Sequence, residues 1–162
     1  MSAPAAISPP SQASVLYIPL LVRDDYGGTG YQWLDAVTGG QVVAQGDETH
    51  QSVDLPFPFT FYGNTYTTLW VSSNGFVNFG AGHSFYANSC LPSLATPNNA
   101  IYAFWDDLAP TGGSNGNIYF KTLDVNTFVV EWYQVKRYDS DDHETFEIVL
   151  RRDGSIKLQY QS

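Results

Sequence analysis

Apolar and polar residues alternate along the last third of the chain. A period of two turns successive side chains to opposite faces of a strand, so the pattern predicts four strands, each with one face on a core and the other in solvent. Glu131 and Glu147 fall on the predicted solvent face. The apolar positions of the four runs are Ile118 and Phe120; Phe128, Val130 and Trp132; Phe146, Ile148 and Leu150; and Ile156, Leu158 and Tyr160.

Shorter apolar runs, separated by turn residues, occupy the middle of the chain. Tyr31–Val37 and Gln41–Gln45 flank Gly39-Gly40 and predict a small hairpin. Pro56 and Pro58 confine their run to a sheet edge or corner, because proline has no N–H to donate to a ladder.

Two tight-turn signals join apolar runs. Asn74-Gly75 predicts a hairpin with a type I′ turn, which needs positive φ at both central residues. Asp153-Gly154 joins the last two runs in the same way. Many short strands with tight turns, and no long helical pattern, predict an all-β fold: an antiparallel β-sandwich, jelly-roll-like, with little or no helix.

The N-terminal part of the chain differs in composition from the rest. Residues 1–14 are mostly Ala, Ser and Pro and predict a flexible lead. Residues 15–23 predict an apolar edge or donor strand, since Pro19 restricts it to a sheet edge, and residues 24–162 predict the sandwich domain. The candidate assembly residues are Val15, Leu16, Tyr17, Ile18, Leu20, Leu21 and Val22.

Charge and cysteine content narrow the classes of partner. The formal net charge is -9, with 7 Lys and Arg in 162 residues, so we expect neither nucleic-acid binding nor docking on anionic membranes. No apolar run reaches the roughly 20 residues of a membrane span, so we expect no membrane insertion. Cys90 is the single cysteine, which excludes an intrachain disulfide and predicts a buried apolar residue or, if exposed, an intermolecular crosslink.

The compartment is predicted from surface composition. Charged residues are 14% of the chain, against a typical value of about 25%, so Ser, Thr, Asn, Gln and Gly must supply much of the surface. Such neutral polar surfaces are typical of extracellular β domains. We therefore expect an extracellular protein, secreted or at the cell surface. The first residues lack the charged and apolar regions of a signal peptide, so a secreted protein would be present here in its mature form.

Two acidic clusters are candidate metal ligands. Asp106-Asp107 follows Ala100–Trp105, a nearly all-apolar run that predicts a buried strand or one that leads into a loop. Calcium prefers carboxylate and carbonyl oxygens, whereas the alternative is that these side chains cap the turn. The second cluster predicts either a calcium site or a solvated hairpin tip. Its candidate ligands are Asp139, Asp141 and Asp142. We expect no other cofactor.

Aromatic residues make up 15% of the chain and are the candidate ligand-binding residues. Planar side chains on an open sheet face stack on sugar rings, although most aromatic residues of a sandwich pair across strands or fill the core. We expect Tyr119, Tyr133 and Tyr138 to be exposed for such binding, and Trp70, Trp105 and Trp132 to be buried.

Catalytic motifs are missing from the sequence. Neither H-E-x-x-H nor G-x-S-x-G occurs. Glu131 and Glu147 on facing strands resemble the carboxylate pair of a glycosidase, but alternation predicts them as ordinary carboxylates on a solvent face. We therefore predict a protein that is not an enzyme.

Five ordered stretches of the sequence resemble the nidogen extracellular (NIDO-like) domain family, in its bacterial accessory-domain type. They are Leu55–Gly63, Val71–Phe76, Ala103–Leu108, Val129–Trp132, and Glu144–Leu150 with Asp153-Gly154. The resemblance covers roughly Val53 to Tyr160. It implies a β-sandwich, an extracellular location and adhesive or targeting roles, as in accessory domains of secreted proteases and surface proteins, and it implies no catalytic residues.

Members of that family usually continue past the position of Tyr160 with one or two further strands. We expect the resulting gap in the sheet to be filled by Val15–Val22, either from the same chain or by strand exchange with a neighbouring copy. The leading prediction is a non-catalytic extracellular module for adhesion, targeting or assembly. The alternatives are a carbohydrate-binding module and a self-assembling structural subunit, so the expected partner is an extracellular protein, a glycan surface or another copy of the chain.

Overall fold

The computed structural model describes residues 31–43 and 45–161. The described chain forms two antiparallel sheets, in the orders β1-β6-β7-β8-β9 and β2-β3-β4-β5, and its one helical element is a 3-10 turn at Gly113–Asn115. The predicted all-β sandwich is confirmed. The strands are β1 (Gln41–Val42), β2 (His50–Phe61), β3 (Asn64–Ser72), β4 (Phe76–Asn78), β5 (Ala100–Tyr102), β6 (Asn117–Asp124), β7 (Thr127–Lys136), β8 (His143–Arg151) and β9 (Ile156–Gln161). The segments predicted at 1–14 and 15–23 lie outside the described residues.

β2 shows how alternation builds the core. Its apolar side chains from Val53 to Phe61 are buried at every second position, and the residues between them are exposed. Pro56 and Pro58 occupy exposed positions on this edge strand, where the ladder with β3 is interrupted between Asp54 and Phe59. The missing proline N–H groups therefore cost no ladder hydrogen bond, and the predicted sheet edge is confirmed.

Trp132 ties the two sheets together. Its side chain is fully buried, stacks on Phe146 with ring centroids 4.9 Å apart, and donates from Nε1 to the Ser72 carbonyl of the other sheet at 3.1 Å. The other two predicted burials are wrong. Trp70 and Trp105 are only half-buried because they lie on the outer face of the four-stranded sheet, covered by the irregular residues 80–99 and their neighbours.

The predicted hairpin around Gly39-Gly40 is wrong. β1 pairs with β6, with Gln41 opposite Phe120, and residues 31–36 form no strand. They instead cross the outer face of β9, β8 and β7, where Leu34 and Ala36 pack against Val129 and Val149. We call residues 31–37 the strap.

The strap corrects a second prediction. The solvent face expected for β7 and β8 is covered, so Val129, Glu131, Glu147 and Val149 are all fully buried or nearly so. These strands are buried on both faces, whereas alternation predicts one solvent-exposed face.

Cys90 is exposed, so its prediction as a buried residue is also wrong.

Both predicted hairpins are present, but their turn type differs from the prediction. β3 ends at Ser72 and β4 begins at Phe76, which leaves a three-residue loop in which only Gly75 has positive φ, +76°. The β8–β9 loop is similar, with Gly154 at φ +89° and its N–H bonded to the Arg151 carbonyl at 2.9 Å. This is a turn followed by a left-handed glycine rather than a type I′ turn.

Candidate functional site

Four connecting segments meet at one end of the sandwich, which we call the loop end: residues 46–49, 73–75, 103–110 and 137–142. Hydrogen bonds between backbone groups join them, including Phe104 N to Gly75 O at 3.0 Å and Tyr138 N to Asp107 O at 2.9 Å. Leu108 also forms an isolated bridge with Arg137. These bonds fix the loop end to both sheets, so side chains distant in sequence are held together.

Three carboxylates converge at the loop end. Asp47 and Glu48 lie in the turn before β2, and Asp107 lies in the connection after β5. One oxygen of each lies within 4.8 Å of the others. We call these residues the carboxylate cluster, and their oxygens are ligands of the kind that hard cations such as calcium prefer.

Asn74 holds the parts of this cluster in place. Its side-chain amide donates to Glu48 Oε2 at 3.3 Å and to the Ser84 carbonyl at 2.8 Å, and its Oδ1 accepts the Leu108 N–H at 2.9 Å. The side chain is fully buried. The asparagine of the turn signal thus also positions the residues on both sides of the cluster.

The electrostatics of the cluster leave negative charge uncompensated. Burial raises the pKa of Asp107, and the nearby charges of Asp47, Asp106 and Asp139 raise that pKa further. Burial likewise raises the pKa of Glu48, although the hydrogen bond from Asn74 lowers that pKa in part. Asp107 Oδ1 is buried without a hydrogen-bond partner. A cation would relieve both the repulsion and the unpaired oxygen.

The other predicted metal ligands have different contacts. Asp106 pairs with Arg137 at 3.0 Å, and Asp141 pairs with Lys136 at 3.0 Å. Asp142 accepts a hydrogen bond from the Ser140 hydroxyl at 3.1 Å, and Asp139 is exposed at the β7–β8 tip. Of the five predicted aspartates, the structure therefore brings only Asp107 into the cluster. Sequence reasoning missed Asp47 and Glu48, because a turn 60 residues upstream carries no local signal that it meets Asp107.

Two of the predicted tyrosines share a surface patch. Tyr133 is 39% exposed on the outer face of β7, opposite Asn117 of β6. Asn117 donates to the Tyr119 hydroxyl at 3.3 Å and accepts a hydrogen bond from Gln45. Tyr119 is half-buried, which corrects its predicted exposure, because it packs beside the strap. We call Gln45, Asn117, Tyr119 and Tyr133 the tyrosine patch.

Tyr138 lies elsewhere. Its side chain is 62% exposed, and its backbone N–H bonds to the Asp107 carbonyl, so it belongs to the loop end and not to the tyrosine patch. The predicted ligand-binding tyrosines therefore occupy two separate surfaces.

A row of buried polar side chains under the strap corrects the prediction for Glu131 and Glu147. These residues are direct cross-strand partners, and Gln159 continues the row on β9. Ala36 N donates to Glu131 Oε2 at 2.8 Å, and Leu34 N donates to Glu147 Oε1 at 3.2 Å. Because the strap covers both carboxylates, the pair is closed to a polysaccharide chain.

None of the described residues belongs to a helix of the length and hydrophobicity that crossing a bilayer requires.

Comparison with known proteins places the chain in a family. A family model described as NIDO related matches residues 27–162. Dendrite extension defective protein 1 of Caenorhabditis elegans is 26% identical over 117 residues, which cover 72% of this chain and 9% of that protein. Alpha-tectorin of Mus musculus is 27% identical over 136 residues, which cover 67% of this chain and 6% of that protein. The chain thus spans less than a tenth of either relative, and no solved structure matches it significantly. Since the family match extends over most of the sequence, the chain belongs to the NIDO-related family.

Proposed function

We propose that this chain is a non-catalytic extracellular module for adhesion, targeting or assembly. Membership of the NIDO-related family supports this role, and so does the small share of each relative that the chain matches, as expected for one module among several. The low fraction of charged residues, 14%, suits an extracellular surface.

The carboxylate cluster is the observation that carries the proposal. It lies among loops on a rigid two-sheet scaffold, the arrangement in which proteins commonly place binding residues. Its negative charges are uncompensated, and Asp107 Oδ1 is buried and unpaired. Extracellular modules bind calcium with dissociation constants of about 10⁻⁴ to 10⁻³ M. We propose that calcium binds here and fixes the loop end for contact with a partner.

Calcium is expected to raise the melting temperature of the chain by a few degrees. Binding at ten to thirty times the dissociation constant stabilises the folded state by about 1–2 kcal/mol. The measurement is thermal unfolding in EDTA and in millimolar calcium, with magnesium for comparison. Asp107→Asn should remove the calcium effect without lowering stability in EDTA, because it also removes a charge in a repulsive site.

Asp142→Asn is the matched control for this experiment. It makes the same change in an exposed aspartate of the loop end that lies outside the carboxylate cluster. The control should keep the full calcium effect. A melting temperature that millimolar calcium leaves unchanged, or an equal loss in both variants, would contradict the proposed site.

Carbohydrate recognition is the second candidate, and the tyrosine patch favours it. Exposed Tyr133 supplies a planar face for stacking on a sugar ring, while Asn117 and Gln45 supply amide groups beside it. The net charge of -9 favours a neutral sugar over an acidic one.

Tyr133→Ala is expected to weaken binding to a neutral oligosaccharide at least about tenfold, since aromatic contacts and their buried area contribute on the order of 1–2 kcal/mol. The measurement is an array of neutral oligosaccharides, followed by titration of those that bind. Tyr62→Ala is the control, because Tyr62 is 46% exposed in the β2–β3 turn, outside the patch. Equal losses in both variants would contradict recognition by the patch.

A further inference from the structure

The outer edge of β9 is open in the described sheet. β9 is the last strand in the order β1-β6-β7-β8-β9, and no described strand pairs with its second side. The bond from Arg151 N to Ser155 O, 3.0 Å long, sets which residues face β8. By the alternation of an antiparallel ladder, Ile156, Leu158 and Tyr160 direct their N–H and C=O groups away from it. Such an edge is a template for another strand.

The side of the sandwich at this edge is also incompletely closed. Ile156 and Leu158 pack against the core but are only half-buried, as are Ala103 and Phe104 at the facing edge of the other sheet. Tyr160, 49% exposed, bridges the two sheets through a hydrogen bond from its hydroxyl to the Ala103 carbonyl at 2.8 Å. A strand paired with β9 would cover this apolar surface.

The path of the chain indicates what the occupant is. The Tyr31 hydroxyl donates to the Tyr160 carbonyl at 3.4 Å, and Gln32 exchanges hydrogen bonds with the Gln159 side chain. The chain therefore reaches the described fold beside β9. The residues between Val22 and Tyr31 can span roughly 25–30 Å when extended, longer than β9 itself.

We propose that the open edge of β9 is the docking site for residues Val15–Val22 of the same chain. This segment is apolar and long enough to pair along the whole of β9, and its one proline suits an outermost strand. A tether of this length gives an effective concentration of about millimolar, which favours the same chain over a second copy.

Amide hydrogen exchange of the full chain tests the proposal residue by residue. We expect the N–H groups of Leu158 and Tyr160 to exchange slowly in a monomer. Ile18→Asp should accelerate them at least tenfold, while Lys157 and Gln159, whose N–H groups face β8, stay protected. Ile7→Asp makes the same change in the predicted lead, residues 1–14. It should alter the exchange rates of neither pair of amides. Exchange is read by NMR, and mass by light scattering.

A second variant covers the case in which Ile18→Asp aggregates. Deletion of residues 1–23 should also expose the Leu158 and Tyr160 amides, and an added peptide with the sequence of Val15–Val22 should protect them again. Fast exchange at both positions in the full chain would overturn the proposal. Slow exchange that survives the deletion would mean that something else covers the edge, and protection that appears only in oligomers would mean strand exchange; each also overturns it.

Discussion

Replacing Gly75 with alanine is expected to destabilise the fold by about 3 kcal/mol or more. Gly75 has φ +76°, a left-handed conformation that costs an ordinary residue about 1–2 kcal/mol. A Cβ atom there would also lie 1.8 Å from the Phe104 carbonyl oxygen. Ala103 and Phe104 both donate backbone hydrogen bonds to the Gly75 carbonyl, so this neighbour moves only if those bonds break.

Gly154→Ala separates the two causes. Gly154 occupies the equivalent position of the β8–β9 turn with φ +89°, but a Cβ atom there would meet nothing within 4 Å. We expect Gly154→Ala to lower the free energy of unfolding only by the cost of placing alanine in a left-handed conformation, about 1–2 kcal/mol. Urea unfolding of both variants measures the difference. Equal losses would show that the contact with Phe104 contributes nothing, and the proposed rigidity of the loop end would then lack its main support.

The Gly75 variant also links stability to the candidate site. The displaced segment 103–104 leads directly to Asp107, and Asn74 holds that segment through the Leu108 N–H. We therefore expect any calcium effect to be weaker in Gly75→Ala than in Gly154→Ala.

Replacing Glu147 with glutamine is expected to stabilise the chain at pH 8 by up to about 3 kcal/mol. Burial, and to a smaller degree the charge of Glu131, raises the pKa of Glu147 from 4.5 to about 7, although hydrogen bonds from Gln159 and Leu34 and the charge of Lys157 oppose the shift. Each pKa unit corresponds to about 1.4 kcal/mol. Burial also raises the pKa of its partner Glu131, as does the charge of Asp35.

The sign of this pH effect follows from proton linkage. The folded state holds the Glu147 proton more tightly than the unfolded state, so the wild-type chain loses stability as pH rises from 4.5 to about 7. Glutamine does not ionise, so the variant should lose less stability over this range, and its advantage over the wild type should grow from pH 5 to pH 8. It should also hold the strap at high pH, where the wild-type carboxylate is charged and buried.

Urea unfolding between pH 5 and pH 8 measures this effect. Glu144→Gln is the control, because Glu144 lies on the same strand with part of its side chain exposed. The control should follow the pH profile of the wild type. Parallel profiles for Glu147→Gln and the wild type would contradict the assigned burial of this carboxylate.

Most of the sheet architecture follows from local patterns in the sequence. Alternation placed the core face of β7 and β8, and proline placed β2 at an edge, because these rules act between residues close together in one strand. The turn signals located both hairpins for the same reason. Five ordered motifs also indicated the family, because each is a short run of neighbouring residues.

The segments that cover each sheet face, and the distant residues that meet, follow from the three-dimensional fold. The strap covers the sheet face that carries Glu131 and Glu147, which alternation assigned to solvent. Alternation shows that the two faces of a strand differ, but it does not show which segment packs on either face. Asp47 and Glu48 reach Asp107 because the connecting segments 46–49 and 103–110 meet at one end of the sandwich. Such contacts depend on loop paths between remote segments, and no local pattern of residues encodes them.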